Sequence, residues 1–149
     1  MTATASEALA ALYLRDETAW LEAMAELIAA REYSELDYDN LREYLTDMAI
    51  RDRREVWSRL VVLIAHHLKW EFQPNSRSDS WRRTIKEQRR ELTMILESGV
   101  LRKHAETVLA SAYHAAVEDA ADETGLPLSA FPAKSKHSAS EWVALPVPA

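Results

Sequence analysis

The chain contains no cysteine and only two glycines, Gly99 and Gly125. The absence of cysteine excludes disulfide bonds, thiolate nucleophiles and metal sites that need a cysteine ligand. The scarcity of glycine argues against tight β-hairpins and against glycine-rich phosphate-binding loops, because both need glycine at fixed positions. Alanine, leucine, glutamate and arginine, which favour helices, are abundant instead. The composition therefore predicts an all-α fold.

Signals for export and for membrane insertion are also missing from the sequence. No lysine or arginine precedes an apolar run in the N-terminal segment MTATASEALA, as a signal peptide would require. The apolar stretch at residues 60–65 is far shorter than the roughly 20 residues that a membrane span needs. We therefore expect a cytoplasmic protein that has no membrane partner.

The formal net charge is −6, and the charges are unevenly distributed along the chain. Residues 1–50 contain three basic and eleven acidic side chains, whereas residues 51–90 contain eleven basic and five acidic ones. Residues 91–149 are acidic again, with four basic and eight acidic side chains. Because opposite charges attract, we expect the first two segments to lie against each other.

The spacing of apolar residues predicts an up-and-down bundle of four to five helices over residues 12–125. Asp16 is a candidate N-cap for a first helix, and Asp37 for a second helix that ends near residue 50 or continues into a third, over about 52–73. A fourth helix is capped by Asp79 or Ser80 and stops at Gly99, and a fifth covers about 101–123. Six apolar residues are predicted at the centre of the bundle: Trp57, Leu60, Leu63, Ile64, Leu92 and Ile95.

A proline-punctuated C-terminal extension, residues 126–149, follows Gly125. Ser138 and Glu141 form a capping-box pattern, which predicts a short helix inside the extension. The extension keeps too many apolar side chains for a disordered tail, namely Leu126, Leu128, Phe131, Trp142, Val143 and Leu145. We expect it to pack on the bundle or on a partner, with Trp142 as its anchor.

Four segments are similar to one known family. They read LDYDNLREYL at 36–45, HHLKWEFQP at 66–74, SWRRTIKEQRR at 80–90 and ETGLPLSAFP at 123–132. Together they resemble the domain of unknown function family 29, a group of small helical bacterial proteins, over about residues 12–145. The resemblance implies a helical bundle and no assigned activity. The chain departs from the family pattern at Tyr44, where a second acidic residue beside Glu43 is usual, and at residues 48–50, where a glycine is usual.

One group of polar residues is a candidate site for a small ligand or for catalysis. Its members occur mostly in the segments that carry the resemblance, and they flank the apolar stripes; they are Asp37, Asn40, Glu43, His66, Lys69 and Arg82. The competing interpretation, which we favour, is a buried network that fixes the register of the helices. Whether the protein is an enzyme stays open at this point.

Three carboxylates, Asp39, Glu43 and Asp47, are spaced four residues apart and therefore line one face of a helix. They could form a solvated face, pair with Arg82 or Arg83, or bind a divalent metal ion. We favour the solvated face, and we predict no metal site and no cofactor. Adjacent residues on a helix point about 100° apart, so His66 and His67 do not chelate one ion, and we expect one of them in the interior.

Residues 77–90 contain six basic side chains and lie close in sequence to Trp70 and Trp81, a combination suited to nucleic acid. Because the rest of the chain is acidic, weak nucleic-acid binding is only an alternative. The leading hypothesis is a protein-interaction or homo-oligomerising module without catalytic activity, since tryptophan and arginine are common at interfaces. Its predicted contact surface consists of Arg77, Arg83, Lys86, Arg90 and Trp142.

Overall fold

A computed structural model describes residues 4–149, which form six α-helices and no β-strand. This confirms the predicted all-α fold. Short 3-10 turns lie at Tyr33–Glu35, Pro74–Ser76 and Leu128–Ala130. The helices are α1 (Ala5–Arg15), α2 (Glu17–Ala29), α3 (Tyr38–Phe72), α4 (Asp79–Ile95), α5 (Gly99–Thr124) and α6 (Ala139–Ala144).

The chain divides into two compact units, Met1–Ile50 and Arg51–Ala149. We refer to them as the first and the second unit. The sequence predicts no domain boundary at residue 50, because the helical pattern continues through it without a glycine or proline. The segments predicted as second and third helices are in fact one helix, α3, of 35 residues. The expected contact between the acidic and the basic segment stays a prediction.

Helix α1 begins ahead of the predicted bundle and is not among the predicted helices. Thr4 and Glu7 form a capping box at its start: the Thr4 hydroxyl accepts from the Glu7 backbone N–H, and the Glu7 carboxylate accepts from the Thr4 N–H. The spacing of this threonine and glutamate is a capping-box pattern, so the sequence alone could have indicated the start of α1. The predicted N-cap at Asp16 is confirmed, because its Oδ1 accepts from the Ala19 N–H at 3.1 Å.

The prediction that Gly99 terminates the fourth helix is wrong. Helix α4 already ends at Ile95, and Gly99 is the first residue of α5, whose N-cap is Ser98. The Ser98 hydroxyl accepts from the Leu101 N–H, so this serine starts a new helix where a glycine C-cap was expected. The N-cap of α4 is likewise Ser78, one residue before the predicted Asp79. Gly125 does end α5 as predicted, in a left-handed conformation with φ 76°.

The core of the second unit is built around the apolar middle of α3. Four of the six predicted central residues, Leu60, Leu63, Ile64 and Leu92, are fully buried. The other two, Trp57 and Ile95, are partly buried against them. Helix α5 contributes mainly small side chains to this core: Ala105, Ala112, Ala116, Ala120 and Ala121.

The C-terminal extension packs against α4 and α5 in the second unit. Phe131, Trp142 and Val143 are buried in the core of this unit. The Phe131 ring meets the Phe72 ring edge-on, with 5.4 Å between the ring centres. Short helix α6 contacts both α4 and α5. The Glu106 carboxylate on α5 accepts from the backbone N–H groups of Ala139 and Ser140, and so caps the start of α6.

We expect Leu63→Ala to lower the free energy of unfolding by about 2–5 kcal/mol, because a fully buried leucine leaves a cavity when truncated. Urea denaturation measures the change. The control is Met94→Ala in the same unit: Met94 is 55% exposed, so its truncation should change stability by less than about 0.5 kcal/mol. Equal effects of the two substitutions would contradict the assigned core.

We expect Glu106→Ala to loosen the extension, because loss of a helix cap costs about 1–2 kcal/mol, equivalent to an increase of about 5- to 30-fold in the open population. Limited proteolysis between residues 133 and 140 measures this opening. Glu118→Ala is the control, since Glu118 is exposed on the same helix and its carboxylate pairs with the exposed His114. An unchanged rate of cleavage in Glu106→Ala would show that the cap does not hold the extension.

Candidate functional site

In the first unit, two of the predicted polar-site residues bind each other and a buried tryptophan. Oδ2 of Asp37 accepts from Nδ2 of Asn40 at 2.7 Å and from Nε1 of Trp20 at 3.1 Å. The Trp20 side chain is fully buried, and its ring contacts those of Tyr13 and Tyr44. Asp37 therefore satisfies the indole N–H of α2 from the start of α3, which fixes the packing of these two helices.

The carboxylate row on α3 lies in solvent. Asp39, Glu43 and Asp47 are all exposed, which agrees with the solvated-face interpretation. Within residues 4–149, no three histidine, aspartate or glutamate side chains are arranged to hold a metal ion. Glu43 is thus a surface residue of the first unit, whereas Asp37 and Asn40 are partly buried there.

In the second unit, Lys69 has a buried side chain, only 3% exposed, and carries the other part of the predicted polar site. Its ammonium group donates to the carboxylate of Glu123 at the end of α5. The same Nζ lies 3.4 Å from Nε2 of His66 and 4.9 Å from the centre of the Trp81 ring. A carboxylate, an imidazole nitrogen and an aromatic face therefore replace the water that a buried ammonium loses.

The hydrogen bonds of His66 define its protonation state. Nδ1 donates to the backbone oxygen of Val62 at 2.8 Å, so Nδ1 carries the proton and Nε2 accepts from Lys69. Burial lowers the pKa of His66, and the charge of Lys69 lowers it further, while the bond to Val62 and the charge of Glu123 oppose the shift. His66 is accordingly a neutral acceptor that helps to hold Lys69, a structural role.

The predicted polar site is thus divided between the two units. Asp37, Asn40 and Glu43 belong to the first, and His66, Lys69 and Arg82 to the second. Arg82 is half-buried on α4 and does not share in the Lys69 cluster. Two residues that the prediction missed, Trp20 and Glu123, complete the two networks. Their separations of 17 and 54 residues from their partners left no local signal in the sequence.

His67 lies beneath the C-terminal extension. Its Nε2 is buried and has no hydrogen-bond partner among residues 4–149. The imidazole lies 5.9 Å from the Trp142 ring, measured between ring centres. Burial lowers the pKa of His67 from 6.5 to about 4, and the charges of His137, His66 and Arg89 contribute to the shift. Both histidines are partly buried. His66 is hydrogen-bonded to a carbonyl, as an interior histidine is expected to be, whereas His67 is neutral at neutral pH because of its burial.

The predicted contact surface is only partly exposed. Arg83, Lys86 and Arg90 are exposed on one face of α4. Arg77 is also exposed, and it binds the end of α3: its Nε donates to the backbone oxygen of Trp70 at 2.8 Å, and its guanidinium lies over the Trp70 ring. Trp142 is 5% exposed and donates to the Ser135 hydroxyl at 2.8 Å, so it is a core residue and is not available to a partner.

An open groove of about 1030 Å³ lies between helices α1 and α2 of the first unit. We call it the α1–α2 groove. None of the residues of α1 is buried, although this helix presents leucine and alanine side chains to the groove. The apolar lining consists of Ala5, Ala8, Leu9, Leu12, Ala23, Leu27 and Ala30.

The rim of the α1–α2 groove is acidic. Glu26, Glu32 and Glu35 border it, and Arg15 is the one basic residue in its lining. All four side chains are exposed. A second groove, of about 650 Å³, lies between α5 and residues 128–135 in the second unit, but the acidic residue on its border, Glu106, is engaged in capping α6. The α1–α2 groove is therefore the larger of the two in volume, and it has a rim of one predominant charge.

The fold is that of a small all-α protein. The chain belongs to the family described as domain of unknown function DUF29, whose model matches residues 12–144. No curated protein and no solved structure matches it. Within residues 4–149, none of the helices has the length and apolar character needed to cross a membrane. The expected cytoplasmic location stays a prediction.

We expect stability to fall as the pH is lowered from 6.5 towards 4, because the unfolded chain then binds a proton on His67 that the folded chain does not. Between about pH 7.5 and pH 5, binding of this proton should lower the free energy of unfolding by about 2 kcal/mol. Urea denaturation at both pH values, for the wild type and for His67→Phe, measures the difference. Over this pH range the free energy of unfolding of the variant should fall by about 2 kcal/mol less than that of the wild type. The pKa of His66 is also lowered, so His66 contributes to the pH dependence of both proteins.

His114→Gln serves as the control for this pH dependence, because the His114 side chain is 78% exposed. Its stability should fall with pH as that of the wild type does. If His67→Phe and His114→Gln both retain the full loss, the buried neutral state of His67 is refuted.

Proposed function

We propose that the protein is a non-catalytic protein-interaction module that acts through the α1–α2 groove. The observation that carries this proposal is the burial pattern of α1. An isolated helix shorter than about 12–15 residues is marginal in water and depends on packing for its stability. Helix α1 has 11 residues and no buried residue. A partner in the groove would cover the apolar face that α1 presents there.

The distribution of exposed apolar side chains supports an interaction role for the first unit, although none of these side chains lines the α1–α2 groove. Of nine large apolar side chains that are exposed within residues 4–149, six lie in the first unit, although it is only a third of the chain. Large apolar surfaces that stay exposed are typical of interaction sites. The six are Leu14, Ile28, Tyr33, Tyr38, Leu45 and Ile50.

The polar clusters support a non-catalytic role. A catalytic group needs an open position beside it for the reacting atoms. Asp37 and Lys69 instead direct their charges at other side chains of their own unit. These contacts are what the structural interpretation of the polar site expects, so we assign the two clusters to folding and the interaction to the groove.

A differential capture experiment tests the proposed function. Wild-type protein and the variants Leu12→Asp and Leu14→Asp are immobilised and exposed to an extract of the cells that produce the protein. Leu12 lines the groove, whereas Leu14 is 87% exposed on the same helix and does not line it. We expect one set of proteins to be retained by the wild type and by Leu14→Asp and to be at least about 10-fold depleted on Leu12→Asp, since a buried unpaired charge is costly.

Ala8→Glu provides a second groove variant that leaves the fold intact, because Ala8 is exposed and lies inside a helix. It should lose the same proteins as Leu12→Asp. Circular dichroism verifies that all variants keep the wild-type helix content. Identical capture by the groove variants and by Leu14→Asp would refute the proposed function.

A further inference from the structure

We propose that the α1–α2 groove binds a basic amphipathic helix of another protein. This inference rests on the proposed function and specifies the chemistry of the partner. The dimensions of the groove, the residues of its lining and the charge of its rim support it.

The dimensions and the lining of the groove suit a helix. At 1.5 Å per residue, α1 is about 16 Å long and α2 about 20 Å, which matches three to four turns of a partner helix. Ala8, Ala23 and Ala30 keep part of the lining shallow, so that a partner backbone can approach closely. Leu9, Leu12 and Leu27 provide the apolar contacts for leucines at helical spacing on the partner.

The charge of the rim favours basic residues on either side of the apolar stripe of a partner helix. Three glutamates face one arginine around the groove, and residues 1–50 as a whole carry eleven acidic against three basic side chains. Lysine or arginine beside the apolar stripe of a partner helix would meet these glutamates at the edge of the contact. Such contacts are exposed, so they accelerate association and weaken with salt.

A second copy of the chain fits the groove poorly. Two copies that met groove to groove would bring two acidic rims together, and like charges repel. The basic helix of a second copy, α4, does not offer an apolar stripe, because Ile85 and Leu92 on that stripe are fully buried in its own unit. The exposed face of α4 carries Arg83, Lys86 and Arg90 without accompanying leucines. The occupant therefore belongs to another protein.

Three synthetic peptides of about 15 residues test the inference by fluorescence anisotropy. The first has leucine at helical spacing and lysine elsewhere; the second has glutamate in place of every lysine; the third has the composition of the first without the helical spacing. We expect the first to bind at least about 10-fold more tightly than either of the others. Its affinity should fall when the salt concentration is raised from about 50 to about 300 mM.

Matched charge variants separate binding in the groove from general attraction to an acidic protein. The groove variant carries Glu26→Lys and Glu35→Lys, and the control carries Glu22→Lys and Glu43→Lys, which are exposed residues of the same unit outside the groove. Both variants change the net charge equally. We expect the groove variant to bind the leucine–lysine peptide about 10-fold less tightly, and the control less than about 3-fold less tightly.

Equal losses in the two charge variants, or equal affinity for the lysine and glutamate peptides, would overturn the basic-helix inference. The proposed function would still stand if the capture pattern of Leu12→Asp and Leu14→Asp held. Analytical ultracentrifugation tests whether a second copy of the chain occupies the groove instead. A dimer that forms with rising concentration and is abolished by Leu12→Asp would place a second copy in the groove and would also overturn the inference.

Discussion

The second unit depends on the burial of one stretch of α3. From Val56 to Leu68 this helix has buried apolar residues on several of its faces, so it needs neighbours around most of its circumference. Helix α4 contributes Ile85 and Leu92 to this core, and α5 contributes a row of alanines. The remaining cover comes from the C-terminal extension, which is why a segment rich in proline and short of regular structure is nevertheless ordered.

The same constraint explains the polar groups at the end of this stretch. Lys69 follows Leu68 directly and is buried with it, and its charge is balanced by Glu123 and directed at the Trp81 ring. Lys69 is buried, whereas the Glu123 side chain is 55% exposed. Such a pair contributes little net stability, but any other alignment of the two helices would leave the buried lysine without its partner. We therefore interpret the Lys69–Glu123 pair as a device that fixes the register of α3 against α5. His67, one turn away from Ile64, tolerates the same environment only as a neutral imidazole.

Features with a local cause could be predicted from the sequence, and features with a distant cause could not. Asp16, the Ser138–Glu141 capping box and Gly125 act on their immediate neighbours, and the structure places each in its expected role. Gly99 was misassigned because a glycine suits a helix end, whereas the hydroxyl of Ser98 decides the outcome. The partners Trp20 and Glu123 lie far away in sequence. The groove is lined by alanine and leucine, whose residue types give no functional signal until the backbone brings them together.

The α1–α2 groove lies partly outside the segment that matches the family. The match begins at residue 12, so Ala5, Ala8 and Leu9, which form much of the α1 wall, lie before it. The buried networks of Asp37 and Lys69 lie inside it. The family match therefore covers the residues of both polar clusters, whereas it includes the α1 side of the groove only from Leu12 onward.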